Sequence, residues 1–165
     1  MSEINQPTIH DMPLQSQLDV EYLCDYSIEL LSEFPKFQTP KGMRMNASFN
    51  SGKIVGPRLN GEFIAGGDWI TQGNDRISHI DVRATIRTDD GEYIYLTNIG
   101  KMVFSPEPYS RFLNGEHVRY NEFYGRSSPV FETGAEKYAW LNGVVTVAFQ
   151  ELCGNRVDIR VYVVK

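Results

Sequence analysis

From Asp19 onward the chain alternates. Val20, Tyr22, Cys24, Tyr26, Ile28 and Leu30 take every second position, separated by Glu21, Leu23, Asp25, Ser27 and Glu29. A period of two puts the first set on one face of an extended strand, whereas on a helix the same residues would scatter around the axis. A strand this long with one apolar face needs another sheet, or the far wall of its own sheet, to bury that face. Further β-rich runs are available at Arg58 to Ala65, Arg76 to Thr88, Glu92 to Ile99, Gly143 to Leu152 and Arg156 to Val164, the last two dense in Val and Ile. Asn60-Gly61 and Asp90-Gly91 predict tight hairpins, because type I′ turns need two residues tolerant of positive φ. Gly66-Gly67, Gly73-Asn74 and Gly154-Asn155 predict further corners. Only Pro106 to Gly115 reads as a helix, with Ser105 as N-cap, Pro106 in the first turn and Gly115 as the stop. The expected class is all-β, a compact antiparallel barrel or sandwich with one short helix. A doubly wound α/β sheet is excluded, since its alternating helices are missing.

Length confines this to one domain. The 165 residues, 41% hydrophobic and 22% charged, suffice for a single core and have the balance of a folded chain. That domain is expected over residues 18–165, behind a flexible N-terminal arm of residues 1–17 that shows no period. Sixteen Lys and Arg against twenty-one Asp and Glu leave a net charge of −5, the wrong sign for a sequence-independent nucleic-acid binder. No apolar run approaches the roughly 20 residues of a membrane helix. Neither nucleic acid nor membrane is therefore an expected partner. The opening residues lack the basic start and apolar stretch of a secretory signal, which points to the cytoplasm. Cys24 and Cys153 then read as free thiols.

Several chemistries have no foothold. Gly52-Lys53-Ile54 lacks the phosphate-loop pattern, and no Gly-rich turn opens a helix after a strand. His10, His79 and His117 are far apart and without ligand spacing, so neither a metal nor any other cofactor is expected. What remains is charge and aromatic surface placed on strands. His79, Asp81, Arg83, Thr85 and Arg87 alternate with Ile80, Val82, Ala84 and Ile86. This fits a strand with a solvated outer face, and it also fits a lumen in which Asp81 and Arg83 meet a polar ligand. A second cluster runs from Tyr124-Gly125-Arg126 through Phe131-Glu132-Thr133-Gly134 to Tyr138-Ala139-Trp140-Leu141-Asn142. Read as a strand, its end places Tyr138, Trp140 and Asn142 on one face. Such a face is either core with satisfied polar tips or the wall of a pocket.

Taken in order, Gly56-Pro57-Arg58-Leu59, Gly67-Asp68-Trp69, Asp81-Val82-Arg83, Thr88-Asp89-Asp90-Gly91, Phe131-Glu132-Thr133-Gly134 and Tyr138-Ala139-Trp140-Leu141-Asn142 resemble the domain of unknown function 3237 family, the UPF0311-type uncharacterised proteins. The likeness runs from about Val20 to Val164 and leaves out the N-terminal arm. It departs at Gly143, where relatives often carry a basic residue. The resemblance implies an antiparallel β-barrel of the lipocalin-like, or calycin-like, kind, and it implies no particular reaction. If such a barrel encloses a pocket, the shared motifs and their neighbours supply its lining. Asp81, Arg83, Arg126, Glu132 and Tyr138 are then the candidate catalytic groups. Trp69, Tyr95, Tyr124, Trp140 and Asn142 are the candidate ligand contacts.

Three functions compete on these residues. One is a cofactor-independent acid–base enzyme, an isomerase, cyclase or lyase for a small aromatic or polyketide-like metabolite, with Asp81 or Glu132 as base and Arg83 or Arg126, helped by Tyr138, stabilising an oxyanion. Another is a carrier that stacks its small-molecule ligand on Trp69 and Trp140 without turnover. The last is a structural barrel that has no pocket. A homo-oligomer, a dimer or higher, is also expected: if the polar strand faces point inward, the apolar faces of Ile80 to Ile86 and Val157 to Val163 need outside cover.

Overall fold

The computed structural model describes residues 15–165, so the expected arm lies almost wholly outside the described residues. Its elements are β1 (Val20–Leu30), β2 (Lys36–Thr39), β3 (Gly42–Val55), β4 (Gly61–Gln72), β5 (Ile77–Thr88), β6 (Tyr93–Val103), α1 (Pro106–Leu113), β7 (His117–Val118), β8 (Tyr124–Glu132), a 3₁₀ helix (Glu136–Gly143), β9 (Thr146–Cys153) and β10 (Arg156–Val164). The hydrogen-bonded order is β1-β10-β9-β8-β6-β5-β4-β3 with every neighbour antiparallel, and β3 returns to β1, pairing Ile54 with Tyr26 and Gly52 with Ile28. Eight strands thus close into a barrel that has no free edges. β2 extends β3 beyond the barrel, and β7 is a short addition to β9.

Closure decides which half of each alternation goes inside. On β5 the buried residues are Ile80, Val82, Ala84 and Ile86, with Ser78 and Thr88 at the two ends, while His79, Arg83 and Arg87 are exposed. Along the barrel the interior divides into two apolar clusters. One gathers Ile28, Ile54, Leu59, Phe63, Ile86, Ile94, Leu96 and Phe131 beneath Tyr138 and Leu141 of the 3₁₀ helix. The other gathers Ile70, Ile80, Met102, Phe104, Val118, Phe123 and Leu152 against Tyr109 and Phe112 of α1. There Phe104 stacks on Phe123 at 4.7 Å and on Phe112 at 5.5 Å. The two helices therefore plug opposite ends.

Several local expectations change. Asn60-Gly61 is not a two-residue hairpin. Asn60 closes the 56–60 loop by donating to the Gly56 carbonyl (2.9 Å) and accepting from the Gly56 amide (3.3 Å). Gly66-Gly67 lies within β4 beside a bulge, where a Cβ on Gly66 would strike the Arg83 carbonyl at 2.6 Å. Residues 136–143 form a helix in place of the expected strand: Glu, Lys, Ala and Leu favour it, and Asn142 folds back onto Thr133. β3 and β8 had no clear signature in sequence. β3 carries two Asn, two Ser and two Gly, and pairing on both sides in a closed barrel overrides that weak local preference. Both cysteines are free thiols, and burial pushes Cys24 up to about 12, which keeps it protonated and inert. Among the described residues no helix is long and apolar enough to cross a membrane.

Candidate functional site

The residues singled out in sequence divide between the outside of the barrel and one of its plugs. Asp81 and Arg83 point outward and pair at 3.4 Å with both side chains about half exposed. They alternate with Val82 and Ala84, which the core claims, so the lumen reading of these two is corrected to a solvated outer face. Trp69 (44% exposed) and Tyr95 (40%) stand on the same outer face, and Tyr95 lies opposite the exposed Glu132. Arg126 also faces out, its guanidinium 4.2 Å from the Phe149 ring and 5.3 Å from that of Tyr124. Tyr138 is buried and donates to Asp90 (2.8 Å), while Trp140 lies under the Arg58 guanidinium at 3.6 Å. Asn142 accepts from the Thr133 amide (2.9 Å) and donates to its carbonyl (2.8 Å). Tyr138, Trp140 and Asn142 fasten the 3₁₀ plug. Together the ten positions do not converge on one cavity.

The groups that do turn inward form a polar layer between the two apolar clusters. β1 and β6 are four strands apart in either direction around the barrel, so they face each other across its diameter. Asn98 of β6 is fully buried and donates its amide to the Tyr26 hydroxyl of β1 at 3.1 Å, a bond that spans the lumen. The phenol proton stays available for donation, and the Asn98 carbonyl oxygen is buried without a partner. Register extends the layer on both sides. Asn98 stands opposite Val82 and Val82 opposite Asp68, while Tyr26 stands opposite Ile159 and Ile159 opposite Gln150. The Gln150 Nε2 and the Ser127 hydroxyl are likewise buried and unpartnered. Buried polar atoms without partners are uncommon and costly in folded proteins, because each forgoes the bond it made with water.

Asp68 has the strongest chemistry of the layer. The β4–β5 ladder pairs Gly67 with Arg83 and Asp68 with Val82, then resumes only at Thr71 with His79. In the gap the Asp81 amide donates to the Asp68 carboxylate at 3.0 Å. Asp68 shares the inward side with Val82 and with Ala47, its partner on β3. Burial pushes its carboxyl up from the ordinary 3.8 to about 7, the Asp81 amide opposes the rise, and the nearby Asp81 charge adds to it. A carboxyl that changes protonation near neutrality can both take and return a proton. Burial likewise raises the Tyr26 phenol, and the Asp68 charge contributes in the same direction, which places the two in one electrostatic environment. Among the described residues no three His, Cys, Asp or Glu side chains gather as a metal site.

The sequence reading missed Asp68, Tyr26 and Asn98, yet for the last two a signal was there. Tyr26 and Asn98 each put a polar tip at a position in phase with the apolar half of the strand, whereas the bulge between Phe63 and Ala65 breaks that phase before Asp68. Tyr26 follows Cys24 and precedes Ile28, and Asn98 follows Ile94 and Leu96. A polar group in the apolar phase of a barrel strand is a lumen group.

The comparisons with known proteins agree with this architecture. A family described as a protein of unknown function, DUF3237, matches residues 18–164. A UPF0311 protein of Clostridium acetobutylicum is 32% identical over 122 residues, 73% of this chain and 77% of that protein. The crystal structure of a conserved protein of unknown function from Rhodopseudomonas palustris superposes with a TM-score of 0.85 at 24% identity, covering 92% of this chain and 100% of the other. That of an enzyme from Penicillium herquei superposes with a TM-score of 0.63 at 19% identity, covering 93% and 100%.

Proposed function

The chain belongs to the DUF3237 family, and on that premise we propose that its barrel takes a small molecule into the polar layer and moves a proton on it with Asp68. The observation that carries this is the inward Asp68 carboxyl, pushed up to about 7 and lying in one row with Val82 and Asn98, whose oxygen is unpartnered and whose amide meets the Tyr26 hydroxyl. The substrate class is a carbonyl compound with an acidic adjacent C–H. Asp68 as carboxylate accepts that proton, and the Tyr26 hydroxyl donates to the oxygen on which charge develops. The Asn98 oxygen receives an O–H or N–H donor of the same molecule. Asp68 then returns its proton at another atom, which gives a net isomerisation or cyclisation without a cofactor. The Penicillium herquei protein, a distant structural neighbour described as an enzyme, is in keeping with a barrel of this fold serving as a reaction vessel.

The test is deuterium wash-in from heavy water into a panel of cyclic 1,3-diketones and aryl ketones, followed by proton NMR. Exchange faster than the buffer rate, rising through pH 7 and lost in Asp68→Asn, is the expected result. If Asp68→Asn binds the same compounds and exchanges them equally fast, the proposal is overturned. Binding without exchange would instead identify a carrier.

A homo-oligomer stays within the proposal, on other grounds than before. Ile80 to Ile86 and Val157 to Val163 supply the inward face and need no outside cover. The outer face of β4, β5, β6 and β8 instead exposes Trp69, Tyr95, Ile99 (64%) and Val130 (55%). With the Asp81–Arg83 pair and Glu132 set among them, they make a mixed apolar and charged face of the kind that a second copy would cover.

A further inference from the structure

The outside of the barrel holds a cavity whose lining is mostly outward-facing residues, with Tyr26 and Ile159 of the inward row also among it. Across the outward faces of β3, β1, β10 and β9, roofed at one side by the loop after β7, lies a groove of about 590 Å³. That is the size range of sites for small organic ligands. Its apolar wall is a relay of ring edges. Tyr120 meets Phe149 edge-on (6.3 Å, 88°), and Phe149 meets Tyr162 edge-on (6.0 Å, 89°). The Arg126 guanidinium lies against Phe149 at 4.2 Å, so a flat guest would meet the remaining ring surface of Tyr120, Phe149 and Tyr162.

The charged groups of the groove are already engaged, with one exception. Asp25 takes both Arg160 donors at 2.8 Å. Asp158 accepts from Ser27 (2.6 Å) and Arg156 (3.1 Å), and Glu151 is bonded to His117 (2.9 Å) and to the Tyr120 amide (3.3 Å). Lys53 lines the same groove and makes no ion pair or side-chain hydrogen bond among the described residues. Lys53 is therefore the charged lining side chain left without a bonded partner, its cross-strand neighbour Glu62 being paired with Arg87.

We infer that this groove is a second binding site, separate from the barrel interior, for a flat aromatic carboxylate. Its ring lies against Tyr120, Phe149 and Tyr162, and its carboxylate pairs with the Lys53 ammonium. The groove opens on the outer side of the wall whose inner side carries the polar layer, with Tyr26 and Ile159 in the wall between them, so occupancy of one does not require the other.

2-Naphthoate serves as the probe, titrated into the full-length protein and followed by the aromatic NMR resonances. 2-Naphthylmethylamine, with the same ring and opposite charge, is the control. The expected result is saturable binding of the carboxylate at least fivefold tighter than the amine, weakened fivefold or more by Lys53→Gln and by Tyr120→Ala, and unaltered in Asp68→Asn. Lys53 is exposed and Tyr120 is 50% exposed, so both variants keep the fold, which circular dichroism checks. Binding that is absent, indifferent to Lys53→Gln, equal for the amine, or lost in Asp68→Asn overturns the inference.

Discussion

Replacing Asp68 by Asn should make the protein more stable, increasingly so as pH rises from about 4 to about 7 and by a constant amount above that. The carboxyl sits at about 7 in the fold against 3.8 for an ordinary aspartate. The folded state therefore holds its proton more tightly than the unfolded chain does. Below pH 3.8 both states are protonated and nothing is lost. As pH climbs from 3.8 to 7 the unfolded state ionises freely while the folded one resists, and stability falls until the folded carboxyl too has ionised. At about 1.4 kcal/mol for each tenfold difference in proton affinity, the full loss is roughly 4 kcal/mol. Residual solvent contact at Asp68 brings the expected value nearer to about 2–4 kcal/mol. Asn has nearly the same shape, keeps an oxygen to accept from the Asp81 amide and cannot ionise. Urea unfolding of both proteins from pH 4 to pH 9 reads the difference directly. The curves should meet near pH 4 and separate by about 2–4 kcal/mol above pH 8, with the Asp68→Asn protein the more stable. A variant that is less stable at pH 8.5, or a gap independent of pH, would refute a buried and strained carboxylate. Stability sacrificed at one ionisable group is the usual mark of a functional position.

Other substitutions probe the remaining framework. Tyr26→Phe leaves the fully buried Asn98 amide without an acceptor and should cost about 1–3 kcal/mol in urea unfolding; a loss under about 0.5 kcal/mol would mean that the bond across the lumen is not formed. Asn142→Ala removes both ties to the Thr133 backbone and should cost about 1–3 kcal/mol while leaving deuterium exchange on bound ketones unchanged. Selective loss of exchange in a stable protein would instead restore Asn142 as a ligand contact. Ile99→Lys puts a charge in place of an exposed apolar side chain on the outer face and should lower the mass seen by light scattering from that of an oligomer to that of one chain. A wild-type protein that is already monomeric at micromolar concentration would dispose of the oligomer.

Much of the fold was legible because alternation is a local property. β1 and β10 were readable nearly to the residue, and so was α1 from Ser105 to its stop before Gly115, which adopts φ +74°. The Gly154-Asn155 turn formed as expected, with Gly154 at φ +62°. The site was much less legible. Asp81, Arg83 and Trp69 stood out as charge and ring in a period of two, but the period says only that they share a face. Gly67-Asp68-Trp69 stood within a family motif, yet nothing local in those three residues turns the Asp inward and the Trp out.

What the sequence determined alone is the set of strand faces: Ile80, Val82, Ala84 and Ile86 go together, and so do Asp81 and Arg83, because successive side chains must alternate. Which face becomes the interior was decided by closure, since a face is inside only relative to the strands that complete the wall. Closure also placed β1 opposite β6, bringing Tyr26 to Asn98 over a separation of 72 residues. It set the β4–β5 register, whose gap turns the Asp68 carboxyl to the Asp81 amide. Contacts of that range follow from strand order around a closed ring, and no local pattern of residues encodes that order.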